Sequence, residues 1–261
     1  VSVGFCEGST CRDQYFRPDS GLLVCLKCSS NCKECNSQAD DQCTSCSSGS
    51  VFHVNLAAES VGSCKTGPNC ETGSYMAENI PKKCAKCHST CSECNDQGES
   101  NCSECNSSDK LHLVSESEEF GSCPATTCQQ NYYTLSSEPS KCFQCDTSCE
   151  TCSAAGENQC TTCNSGSKLH VESSGDSNGK CFSGDCQAGY YQSSSLCVKC
   201  HDSCKECDGA ANTNCTQCPG GLPVQSSGEC TDDCQDGSFQ TGTSPTTCSE
   251  CHSSCKKMQQ S

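Results

Sequence analysis

Thirty-seven cysteines recur in this chain at a spacing that varies little from one stretch to the next. From Cys64 to Cys105 they read C-x5-C-x13-C-x2-C-x3-C-x2-C-x7-C-x2-C. The same octet runs from Cys6 to Cys46 and from Cys123 to Cys163, each with four residues in the first gap. A fourth, Cys181 to Cys218, also has four there and shortens the thirteen-residue gap to ten, and a fifth stops after five cysteines, at Cys255. Such regularity predicts that covalent cross-links, and not a large apolar core, decide the architecture.

Composition agrees with that expectation. Cysteine is about one residue in seven, beyond the level that marks a disulfide scaffold. Aromatic residues make up 5% and Trp is absent, so large buried anchors are scarce. The chain therefore reads as a string of modules, each below the size at which burial alone suffices. A disulfide closing a loop of about 15 residues stabilises by roughly 3 kcal/mol in the chain-entropy model. Disulfides persist in oxidising compartments, which places the protein outside the cytosol, extracellular or at a cell surface. The opening Val1-Ser2-Val3-Gly4-Phe5 has neither an initiator Met nor a signal peptide, as expected of a processed chain or a segment of a longer one. The formal net charge of −16 argues against nucleic acid and anionic membrane surfaces as partners. No apolar run is long enough to span a bilayer, so membrane attachment would need an anchor outside this chain.

The cysteine register divides the chain into repeats at 1–63, 64–122, 123–180 and 181–229, the last shortened, with a partial fifth at 230–261. A glycine stands two residues before each first cysteine, at Gly4, Gly62, Gly121, Gly179 and Gly228, which predicts a positive-φ turn at every boundary. Tyr132-Tyr133 and Tyr190-Tyr191, followed by turn residues, suggest one small hairpin per repeat. Val51-Phe52-His53-Val54 and Lys110-Leu111-His112-Leu113-Val114 suggest a second. No helical period is sustained. The expected fold is small and disulfide-rich, mostly irregular with short β-hairpins and little helix, stacked as an elongated tandem-repeat rod; flexible beads are the alternative.

The segment Cys200-His201-Asp202-Ser203-Cys204-Lys205-Glu206-Cys207, followed after seven residues by Cys215-Thr216-Gln217-Cys218, resembles the furin-like repeat of growth-factor receptors and proprotein convertases. Cys87-His88-Ser89-Thr90-Cys91 and Cys251-His252-Ser253-Ser254-Cys255 show the same C-H-x-x-C hallmark. Cys28 to Cys32 and Cys145 to Cys149 keep the spacing but lose the His. Long acidic, Ser/Thr/Asn-rich arrays of this repeat look most like surface proteins of ciliated protists, including immobilisation-antigen-type coats.

Spacing alone fixes no connectivity; the pairing is what the resemblance implies, a single-bridge loop alternating with a two-bridge knot. In the first repeat Cys11 would pair with Cys25, Cys28 with Cys35, Cys32 with Cys43, and Cys46 with Cys64 of the next. In the second, Cys70 would pair with Cys84, Cys87 with Cys94, Cys91 with Cys102, and Cys105 with Cys123. The third would join Cys128 to Cys142, Cys145 to Cys152, Cys149 to Cys160, and Cys163 to Cys181. The fourth would join Cys186 to Cys197, Cys200 to Cys207, Cys204 to Cys215, and Cys218 to Cys230, and the fifth Cys234 to Cys248. Cys6, Cys251 and Cys255 remain without partners and are candidates for intermolecular bridges.

Other chemistry is weaker. Cys84 to His88, Cys197 to His201 and Cys248 to His252 match the haem motif C-x-x-C-H, yet Ser29 and Asp146 stand at the equivalent positions. Thirteen C-x2-C pairs could form zinc sites, but only if those thiols stayed reduced outside the cell. A redox C-x-x-C needs one thiolate singled out, and near-equivalent pairs single out none. His53, His112 and His170 read as strand-surface residues. The expectation is thus no cofactor, no metal, no catalytic residue and no enzymatic activity. Asn106-Ser107-Ser108 is an N-glycosylation acceptor, and Asn101-Cys102-Ser103 and Asn214-Cys215-Thr216 also match. The function these features suggest is an extracellular, glycosylated structural element of a cell-surface coat or filament, self-associating. The alternative is a receptor-like or decoy ectodomain that binds a protein ligand.

Overall fold

The computed structural model describes residues 3–5, 10–18, 24–79, 81–106 and 108–252, the side chains of 3–5 excepted. The molecule is disulfide-rich and built from short strands, with two three-residue 3-10 turns as its only helical pieces among the described residues. No described helix is long and apolar enough to cross a membrane. Two compact units are formed, one from 1–128 with 136–143, the other from 129–135 with 144–261.

Each octet folds into two kinds of piece. The last four cysteines of an octet sit on a two-stranded antiparallel ribbon such as Cys91–Cys94 with Cys102–Cys105, or Cys149–Cys152 with Cys160–Cys163. Every such pair carries an irregular register, and a disulfide also joins its two strands, as Cys91–Cys102 and Cys149–Cys160 do. The tyrosine-bearing segments form the expected hairpin: Tyr190–Ser193 pairs with Leu196–Lys199, and Ser74–Asn79 with Lys82–Lys86.

The segment after each octet behaves differently from the sequence reading. Ser50–Val54 does pair antiparallel with Ser63–Thr66, across the repeat boundary. It also pairs in parallel with Lys82–Lys86 of the next repeat, His53 standing opposite Cys84. His112 opposite Cys142 and His170 opposite Cys197 repeat that register. The result is a seam in which an apolar-His-apolar strand from one repeat lies inside a sheet of the following one. A local pattern of alternation cannot reveal this, since a parallel partner lies many residues away along the chain.

Burial explains why so little conventional core is needed. Cys32, Cys84, Cys102, Cys142, Cys160 and Cys197 are fully buried, and cysteines outnumber all other buried apolar residues. At the joints they are joined by Val51 and Val54, Leu111 and Leu113, and Leu169 and Val171.

Candidate functional site

The joints between repeats gather most of the chemistry-bearing residues, so they form the candidate site. One kind of bridge crosses each joint: Cys46–Cys64, Cys105–Cys123, Cys163–Cys181 and Cys218–Cys230. Within the repeats, Cys11–Cys25, Cys70–Cys84, Cys128–Cys142, Cys186–Cys197 and Cys234–Cys248 hold the hairpins. The two-bridge knots are Cys28–Cys35 with Cys32–Cys43, Cys87–Cys94 with Cys91–Cys102, Cys145–Cys152 with Cys149–Cys160, and Cys200–Cys207 with Cys204–Cys215. Cys251 is a free, half-buried thiol. Seven residues after it stands Met258, where the other repeats carry Cys35, Cys94, Cys152 and Cys207. Cys6 and Cys255 lie outside the described residues.

The glycine at each boundary needs a correction. Only Gly228 has a positive φ, 86°; Gly62, Gly121 and Gly179 do not. These three are glycine because the backbone is crowded. Gly179 exchanges two backbone hydrogen bonds with Cys160, at 2.9 and 3.1 Å. On its other side, a methyl group would stand far inside 3.0 Å of the His170 carbonyl oxygen. Gly62 meets His53, and Gly121 meets His112, in the same way. Gly4 lies in the strand Val3–Phe5.

The histidines also differ from expectation. His112 and His170 are buried, at 4% and 3% exposure, not on a strand surface. His170 Nδ1 lies 3.1 Å from the Lys168 carbonyl oxygen, and its Nε2 accepts the Gln187 amide at 2.9 Å. His112 Nδ1 likewise lies 3.0 Å from the Lys110 carbonyl. The fourth joint carries Gln225, also buried at 5%, whose Oε1 accepts the Gln235 amide at 3.2 Å. Each of these side chains falls seven residues after the last cysteine of its octet. That offset is the available sequence signal, and its meaning emerges only once the parallel pairing is known.

His53 sits in a more open joint, beside a cleft of about 730 Å3 shared with Lys65, Glu71, Lys86 and Asp41. Burial holds the His53 pKa below the ordinary 6.5; Glu71 opposes that shift and Lys65 adds to it. A histidine more easily protonated when unfolded favours unfolding in acid. Its stabilising contribution is complete above about pH 6.5 and is lost as pH falls through its lower folded value. An NMR titration should place the His53 midpoint below that of a histidine in an unstructured peptide; a midpoint above it would refute this reading.

The hallmark position after the fourth cysteine of the octet shapes a turn. Thr90 N–H donates to His88 Nδ1 at 3.4 Å, and Ser203 N–H to His201 Nδ1 at 3.2 Å. Where the hallmark His is replaced, Asp146 accepts from Ser148 N–H at 2.9 Å and from its hydroxyl at 2.7 Å. Those bonds, hydroxyl first, hold the Asp146 carboxyl below its usual pKa. His and Asp share that position because each accepts a hydrogen bond from two residues on, whereas the Ser29 hydroxyl in the first repeat donates to Asp40. The haem reading meets sulfurs that are already bonded, Cys84 to Cys70 and Cys87 to Cys94. The cluster Cys32, Cys43 and Cys64 has metal-like proximity, but its sulfurs are bridged and offer no thiolate.

Among the sequons, Asn106 is partly exposed and its Nδ2 donates to the Ser89 carbonyl at 2.6 Å. Asn164 makes the equivalent bond to Thr147 at 2.8 Å without being a sequon. The first repeat has Ser47 instead, and its buried hydroxyl has no hydrogen-bond partner. The asparagine after the eighth cysteine thus closes the knot, a role the sequence did not disclose. Asn101 and Asn214 directly precede the buried, bridged Cys102 and Cys215.

Comparison with known proteins places this arrangement. The chain is 34% identical over 252 residues, 95% of its length, to Furin-like protease 2 of Drosophila melanogaster. It is 30% identical over 186 residues, 71% of its length, to Extracellular matrix organizing protein FRAS1 of Homo sapiens. Against Major surface-labeled trophozoite antigen 417 of Giardia intestinalis the identity is 26% over 261 residues, covering 92% of the chain. The chain spans 13%, 4% and 29% of those relatives, respectively. No family model matches it. The chain is an array of furin-like cysteine-rich repeats, and it is an extracellular or cell-surface one.

Proposed function

We propose that this array is a non-enzymatic structural element of a cell-surface coat or filament, in the manner of protist surface proteins. The observation that carries the reading is the bridge across every joint, from Cys46–Cys64 to Cys218–Cys230. Stapled joints oppose separation of neighbouring repeats, and buried disulfides resist proteolysis. The acidic exterior, with net charge −16, keeps such a layer hydrated. Glycans at Asn106, Asn101 or Asn214 would add to that. At Asn106 the linkage must keep the bond to Ser89 with the single hydrogen left on Nδ2. Self-association runs through the free Cys251, with Cys6 or Cys255 of another copy as its partner. Nucleic acid is not a partner, and any membrane anchor lies outside this chain.

Non-reducing electrophoresis of the oxidised chain should show disulfide-linked oligomers that collapse to monomer on reduction and are lost in Cys251→Ser. A discrete 27.5 kDa monomer with a titratable thiol at Cys251 would sink the trans-linked version. The receptor-like reading draws on the open His53 cleft. It predicts a saturable protein ligand whose binding is lost in Lys86→Glu while disulfide-linked oligomers persist.

A further inference from the structure

We propose that the joint between the third and fourth repeats is an acid-sensitive coupling, closed while His170 is neutral and released when it is protonated, whereas the Gln225 joint does not respond to pH. A carbonyl can only accept, so the 3.1 Å contact with Lys168 puts the proton on Nδ1. A backbone amide can only donate, so the 2.9 Å bond from Gln187 requires the lone pair of Nε2. One neutral tautomer satisfies both. A second proton has only Nε2 to occupy, where it would point at the Gln187 N–H. Donor would then face donor, and the bond is lost.

The surroundings leave the imidazolium poorly compensated. The ring is 3% exposed and is held edge-on against Phe182 and Tyr190, with centroids 4.8 and 4.9 Å away. Its own strand brings Lys168, Glu172 follows just past the strand's end, and Lys180 stands opposite on the antiparallel strand. The strand Leu196–Lys199 brings bridged Cys197 opposite His170, and Lys199. Asp185, Glu157 and Asp202 are ion-paired to these lysines. Each carboxylate is already matched: Glu172 to Lys199 at 2.7 Å, Asp202 to the same lysine at 3.8 Å, Glu157 to Lys180 at 2.7 Å, and Asp185 to Lys168 at 3.2 Å. Burying a charge without its own partner is unfavourable, so protonation drives the ring out of the seam. The seam is where Ser167–Val171 is sandwiched between two strands of the next repeat.

Gln225 performs the same task without a titrating group. Its Oε1 accepts the Gln235 amide, while its Nε2 donates to Thr231 Oγ1 at 2.6 Å and to the Asp233 carbonyl at 3.0 Å. Gln187 and Gln235 each follow the second cysteine of their repeat. Their amides are therefore a matched pair within one molecule, one held by an imidazole and one by a carboxamide.

The experiment is amide hydrogen exchange on the full, oxidised chain, corrected for the intrinsic pH dependence of exchange. Protection of the Gln187 amide should fall about tenfold or more between about pH 7.5 and about pH 5, while that of Gln235 holds. In His170→Gln the Gln187 amide should become as insensitive to pH as Gln235. Parallel loss at both amides, retained protection of Gln187 in acid, or unchanged pH dependence in His170→Gln would each overturn the proposal. Should the variant fail to fold, the 15N shifts of His170 in the unaltered chain serve instead. Loss of Gln187 protection must then share its midpoint with protonation of Nε2, and separate midpoints refute the coupling.

Discussion

Complete reduction at neutral pH should unfold every repeat, abolishing the strand signal in circular dichroism and opening the whole chain to protease. The buried interior explains the size of the effect. Cys32, Cys84, Cys102, Cys142, Cys160 and Cys197 are among its best-buried members, so cutting the bridges also removes the material of the core. Each bridge closing a loop of about 15 residues accounts for roughly 3 kcal/mol, and the seventeen described bridges leave few other contacts to take their place. Replacing one pair, Cys149→Ala with Cys160→Ala, should destabilise its repeat by about 3–5 kcal/mol. Both residues are at most 1% exposed and belong to a two-bridge knot. Mass spectrometry of limited-proteolysis fragments would locate the damage between residues 145 and 163. A reduced chain that kept its strand signal and protease resistance would show that something other than sulfur holds the fold.

Gly179→Ala should cost about 3 kcal/mol, near the upper end for overpacking. The added methyl meets the His170 carbonyl on one side, while the backbone hydrogen bonds to Cys160 fix the other. Neither neighbour is a flexible side chain that can yield. Cys163–Cys181 closes the same joint, so the strain cannot relax by parting the repeats. Gly175→Ala provides the contrast: nothing lies within 4 Å of its added methyl, and its φ is not positive, so its stability should stay within about 0.5 kcal/mol. Denaturant melts of the two variants decide the matter. Equal stability of both would mean that the joint has room the geometry denies.

These glycines also show where reading the sequence succeeded and where it stopped. Their regular position two residues before a cysteine was plain, and so was the importance of the boundary. The reason was misassigned, because a positive φ and a close backbone approach leave the same residue type behind. Gly228 has the positive φ, and Gly62, Gly121 and Gly179 have the close approach. The hairpins of Tyr190–Ser193 and Ser74–Asn79 were legible because both strands and their turn lie within a few residues. The parallel seam was not, since nothing local to His53 or His170 announces Cys84 or Cys197 as a neighbour.

Cysteine spacing by itself determined that this protein is a disulfide-rich tandem repeat with little helix. Covalent loops of fixed length leave a short chain few ways to fold, and that constraint is written residue by residue. Tertiary structure alone decided what the residues between the cysteines are for. A buried imidazole, a carboxamide and a crowded glycine acquire their roles from backbone groups of the neighbouring repeat. Hydrogen bonds of that kind depend on distances in space that no interval along the sequence records.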